Sequence, residues 1–145
     1  MQAQAQAAPP PQEYYQGKYA TVTFLPANET AIFRIHGAFI PMTDYQAALD
    51  KLSELVQQDK VQKLVVDAPK LVAYHQPSVE WSFVNWKKRM EPHGLRQYRY
   101  VLPDSGEYRR SLQDGLRKIG REHPDTGIDR LDLAYCRTLD EAVED

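Results

Sequence analysis

Between Val61 and Leu102 the chain reads as an apolar strand, a loop, an aromatic-rich helix and a second strand. The first strand, Val61 to Asp67, holds Leu64, Val65 and Val66 in succession. Three apolar residues in a row suit a strand covered on both faces, as in the middle of a parallel sheet. From Ser78 to Met90, the residues Val79, Phe83, Trp86 and Met90 recur at helical spacing, and Trp81 and Val84 widen that face. Lys87, Lys88 and Arg89 fill the last turn, where cations suit the helix dipole. Pro92 and Gly94 then stop the helix. Arg96 to Leu102 alternates Tyr98, Tyr100 and Leu102 against Arg99 and Val101. Two strands joined through such a helix are most simply parallel neighbours in one sheet.

The rest of the chain fits around that unit. Residues 1–17 read as a low-complexity tail of Gln, Ala and Pro with little to bury, and 18–145 as one domain. Tyr19 to Leu25 and Thr30 to His36 both alternate with period 2, and Pro26-Ala27-Asn28-Glu29 turns them into an antiparallel hairpin. A helix opens at Thr43, where Thr43 and Gln46 have capping-box spacing, and runs to about Asp59. Tyr108, Leu112, Leu116 and Ile119 mark another helix, with Gly115 as a weak point. Leu131, Leu133 and Tyr135 form a last strand, and Thr138 with Glu141 caps a short final helix. The fold class expected is α/β, with the order β-β-α-β-α-β-α-β-α. That order implies a mostly parallel mixed sheet flanked by helices.

Composition narrows the function classes. A chain of 145 residues with 42% hydrophobic and 26% charged residues is ordinary for one soluble domain. The net charge of −2 gives no field that would draw it to nucleic acid. No apolar run approaches the length of a membrane span, and no signal-peptide pattern is present in this sequence. The lone Cys136 excludes an internal disulfide, so a reducing, cytoplasmic setting is the simpler expectation.

No Gly-rich phosphate loop, G-x-S-x-G elbow or H-E-x-x-H occurs, so no catalytic residues and no cofactor are expected. His36, His75, His93 and His123 show no i, i+3 or i+4 pairing. No metal site is read from that pattern; one would need histidine and carboxylates far apart in sequence. Cys136 reads as an inert, small strand-end residue. Arg89, Arg96, Arg99, Arg109 and Arg110 are scattered by strand and helix periods, which reads as solvated surface.

The loop from Pro69 to Pro77 lies at the carboxyl end of a central strand, where open α/β sheets bind ligands. Asp67, Tyr74, His75, Ser78 and Trp81 are therefore the candidate partner-binding residues. The plainer alternative is an ordinary connection in which Ser78 only caps the helix. For the aromatic helix face the alternatives are core packing, or a Trp edge exposed to a partner or an apolar ligand.

Several local signatures carry a family resemblance. Lys63-Leu64-Val65-Val66-Asp67, the Glu80-Trp81 helix start, Gly94-Leu95-Arg96 leading into Tyr100-Val101-Leu102-Pro103, and Thr138-Leu139-Asp140-Glu141-Ala142 together resemble the STAS domain. The likeness is to its SpoIIAA-like branch, which borders on the SEC14 lipid-binding fold. The resemblance implies a non-enzymatic module with a regulatory protein partner, or a carrier of an apolar ligand. It also implies a phosphorylatable serine after the central strand. Here Ala68, Pro69 and Lys70 follow Asp67, and the first serine downstream is Ser78.

Overall fold

The computed structural model describes residues 9–145. Six strands form one mixed sheet in strictly sequential order. They are β1 (Gln12–Gln16), β2 (Ala20–Leu25), β3 (Thr30–Ile35), β4 (Lys63–Asp67), β5 (Gln97–Val101) and β6 (Asp132–Cys136). The first three are antiparallel, and β3 to β6 are parallel. The α/β class and the mostly parallel sheet agree with the sequence.

The sheet starts earlier than the sequence implied. Residues Gln12 to Gln16 lie in the stretch read as tail, yet they pair with β2. Gln12, Glu13 and Gln16 are exposed and Tyr14 and Tyr15 are half-buried against the core, so these two rings and the ladder hydrogen bonds to β2 order the strand. The Gln/Ala-rich residues 1–8 lie outside the described residues.

Helix α1 (Met42–Val56) joins β3 to β4, and α4 (Glu107–Glu122) joins β5 to β6. Between β4 and β5 the helical connection has three parts: α2 (Gln76–Trp81), a π-helical turn (Ser82–Trp86) and α3 (Lys87–Met90). These helices share one face of the sheet. Phe33, Leu64, Val66, Tyr98 and Tyr100 from the strands pack there against Leu49, Leu52, Phe83, Trp86, Leu112 and Ile119. Val79, Phe83, Trp86 and Met90 are all buried, as their spacing requires. The Trp86 indole donates to Ser53 Oγ at 2.7 Å and Leu49 O at 3.1 Å, so the aromatic helix is tied to α1 as well as packed against it.

The opposite face carries one short helix, α5 (Leu139–Glu144), capped by Thr138 Oγ1, which accepts the Glu141 amide at 3.1 Å. Ala142 meets Ile32, Val65, Val101 and Cys136 in a second, smaller core. Val65 is fully buried there, as a centrally placed strand residue should be.

Two details, the cap of α1 and the burial of Arg99, differ from the sequence reading, and the burial of Lys87 adds to it. The N-cap of α1 is Pro41, and Thr43 uses its hydroxyl to donate to Asp44 rather than to cap. Lys87 is buried: its ammonium donates to Glu91 Oε2 at 2.8 Å and Thr126 O at 3.0 Å. Arg99, read as solvated surface, is also buried and is held by Asp132 and Asp145.

Candidate functional site

The carboxyl ends of β3 and β4 lead into two neighbouring loops, residues 36–41 and 68–75. The Ala38 carbonyl stitches them together by accepting the Val72 amide at 2.7 Å and the Ala73 amide at 3.1 Å. Each loop lifts one large apolar side chain into solvent. Phe39 is 51% exposed and Val72 is 76% exposed. They are the exposed large hydrophobics among the described residues. Tyr19 lies beside Phe39 with ring centroids 5.6 Å apart, and Lys18 Nζ is 5.5 Å from the Tyr19 centroid. Single exposed apolar residues need no explanation, but two on stitched loops at the ligand-binding end of an α/β sheet make a candidate contact surface.

The residues singled out from sequence do not converge on that surface as a group. Asp67 alternates with Val65 and so faces the α5 side, opposite the helical connection that follows it. Its carboxylate is buried and accepts from Arg34 Nε at 2.9 Å. Tyr74 lies against α4: its ring meets Tyr108 edge-on at 5.5 Å, and its hydroxyl donates to Gln76. That approach explains Gly115. A Cβ there would collide with the Tyr74 hydroxyl and the Gln76 side-chain oxygen. Trp81 is partly covered by the core.

His75 and Ser78 do meet, with their roles exchanged relative to the sequence reading. His75 is the N-cap of α2, and its Nδ1 accepts the Ser78 amide at 3.3 Å. An amide can only donate, so Nδ1 is unprotonated and the Ser78 hydroxyl donates to it as well, at 2.8 Å. Ser78 itself is buried, so a phosphoryl group on it would require the first turn of α2 to open. A serine hydroxyl on a histidine nitrogen has the form of a nucleophile and its base. Here the hydroxyl is buried, and no carboxylate orients the imidazole among the described residues. The pair does the work of a cap.

Between the sheet and the helices, Phe33, Tyr45, Phe83, Trp86, Tyr98 and Tyr100 line an internal cavity of only about 10 Å³, room for one water at most. Burial pushes the Tyr45, Tyr98 and Tyr100 hydroxyls above the ordinary tyrosine range. Tyr98 Oη has no hydrogen-bond partner among the described residues. Cys136 is buried at the end of β6, and desolvation pushes its thiol up, which leaves little thiolate to react. No helix among the described residues is long and apolar enough to cross a membrane.

Sequence reasoning passed over Phe39 and Val72. A faint signal existed: a large apolar residue sits in each of two loops, outside any strand or helix period. Nothing in the sequence says that the two loops touch. A scan against protein-family models and searches of curated proteins and of solved structures each find no match to this chain.

Proposed function

We propose that this chain is a non-enzymatic, STAS-like module that works in regulation by protein–protein contact, in the manner of an anti-sigma-factor antagonist. The observation that carries the reading is the pair of exposed apolar side chains, Phe39 and Val72, on loops joined through Ala38. Exposing both costs hydration free energy with no return inside the monomer, whereas burying such anchors is what drives association. Lys18 and Lys70, both exposed, flank the patch in the chain and favour a partner with acidic groups around an apolar centre. His75, exposed at the start of α2, extends the same end of the sheet.

The alternative is a SEC14-like carrier of an apolar ligand. It calls for a cavity lined by the helical aromatics, of the several hundred Å³ that a small ligand occupies. The cavity so lined holds about 10 Å³. The filled core supports the docking reading.

The test is co-purification from native lysate with wild type, Phe39→Asp and Val72→Asp, followed by mass spectrometry of bound proteins and extracted lipids. A protein retained by wild type and lost from both variants is the expected outcome. A protein held equally by all three, or a stoichiometric lipid with no protein, overturns the reading.

A further inference from the structure

Glu80 on α2 and Glu122 with His123 at the end of α4 are far apart in sequence, but packing of the two helices brings them together. Gln76 Nε2 donates to Gly115 O at 3.3 Å, which sets α2 beside α4. Further along, the ligating atoms of Glu80, Glu122 and His123 all lie within 4.8 Å of one another. The geometry points to a binding site for one divalent transition-metal ion of the Zn²⁺ type, held by these three side chains.

Two observations support it. First, two carboxylates have been brought together with no lysine or arginine paired to either among the described residues. Neither Glu80 nor Glu122 joins an ion pair among the described residues, although Lys87, Lys88 and Arg117 nearby in the helices all find acidic partners elsewhere. Like charges so close repel unless a positive charge lies between them. Second, His123 is held in place from below. Its carbonyl accepts the Thr126 amide at 3.0 Å and the Thr126 hydroxyl at 2.7 Å. Thr126 is buried, and its own carbonyl accepts from the buried Lys87 ammonium at 3.0 Å.

The donor set selects the ion. One imidazole nitrogen and two carboxylate oxygens suit Zn²⁺ and its transition-metal neighbours, whereas Mg²⁺ prefers oxygen alone and keeps its waters. Bond lengths of about 2.0–2.2 Å put the donors of a tetrahedral shell about 3.4 Å apart, so the ion would draw the exposed Glu122 carboxylate inward. Three protein ligands leave a coordination position open for water or another group.

The test uses the full chain without an affinity tag. Zn²⁺ is titrated calorimetrically, and Co²⁺ is followed by its visible absorption, with Mg²⁺ as the control ion. The expected result is one Zn²⁺ per chain and no Mg²⁺ binding. Glu80→Gln, Glu122→Gln and His123→Ala should each weaken Zn²⁺ by at least about tenfold, and His93→Ala should leave it unchanged. Glu122 is exposed, so its variant reports on binding without disturbing the core. Absence of a saturable one-to-one site, or Zn²⁺ affinity unchanged in Glu122→Gln and His123→Ala, overturns the proposal.

Discussion

Arg99 Nε donates to Asp145 Oδ2 at 2.6 Å and so ties the middle of β5 to the residue that follows α5. The guanidinium is buried, donates also to the carbonyls of Tyr98 and Asp132, and pairs with the Asp132 carboxylate. A second latch runs from Lys63 Nζ to Val143 O at 2.6 Å. A six-residue helix is too short to be stable alone, so these two cations and the small core around Ala142 hold it on the sheet.

Asp145→Ala should therefore cost on the order of 1–2 kcal/mol in urea unfolding, toward the low end of the roughly 1.5–3 kcal/mol of a hydrogen bond to a charged group because the Asp145 carboxylate is half exposed. Arg99 keeps Asp132 and two carbonyls, so the fold should survive. Hydrogen exchange in α5 should rise before that of β4. An unchanged midpoint and unchanged exchange would show that the latch contributes nothing.

The cap of α2 gives a second expectation. His75→Ala removes the acceptor for the Ser78 amide and should cost about 0.5–2 kcal/mol, and His75→Asp should recover most of it because aspartate also caps. If His75→Asp were as unstable as His75→Ala, the imidazole would be acting by something other than capping.

Gly115 reverses an ordinary rule. Within a helix, Gly→Ala usually stabilises by about 1 kcal/mol. Here the added Cβ would drive into the Tyr74 hydroxyl and the Gln76 side chain. Gly115→Ala should instead destabilise by about 1–3 kcal/mol, as overpacking does. In a Tyr74→Ala, Gln76→Ala background the same change should become neutral or favourable. A stabilising effect in the wild-type background would mean that the loop does not press on α4.

Alkaline pH supplies a fourth. Burial raises the hydroxyl pKa values of Tyr74, Tyr98, Tyr100 and Tyr108. The fold thus favours their neutral form, while the unfolded chain releases those protons near about pH 10. Above that pH the unfolded state binds fewer protons than the native state, so stability is complete below it and falls as pH rises beyond it. Tyrosinate absorbance and circular dichroism followed together should show these rings ionising only as the fold is lost. Reversible ionisation of all nine tyrosines near pH 10 with native dichroism intact would contradict the burial.

Periodicity alone placed most elements. The apolar run Leu64-Val65-Val66, the helical spacing of Val79, Phe83, Trp86 and Met90, and the Thr138–Glu141 cap are local patterns, and each element forms close to where its pattern lies. Local pattern also set the class, because strands alternating with helices leave little besides a mainly parallel sheet.

What sequence could not decide depends on which residues meet across the fold. β1 exists because β2 offers it a ladder and the core offers Tyr14 and Tyr15 a place to pack. Arg99 and Lys87 look like surface cations until the carboxylates and carbonyls around them are placed. Asp67 ends the strand that leads on to His75, yet the alternation of side chains along β4 turns Asp67 to the opposite face. The pairing of Phe39 with Val72, and of Glu80 with His123, needs loops and helices distant in the chain to be packed side by side. Side-chain period is a property of neighbours along the backbone and is written in the sequence; contact between distant segments arises only when the sheet has fixed where each connection lies.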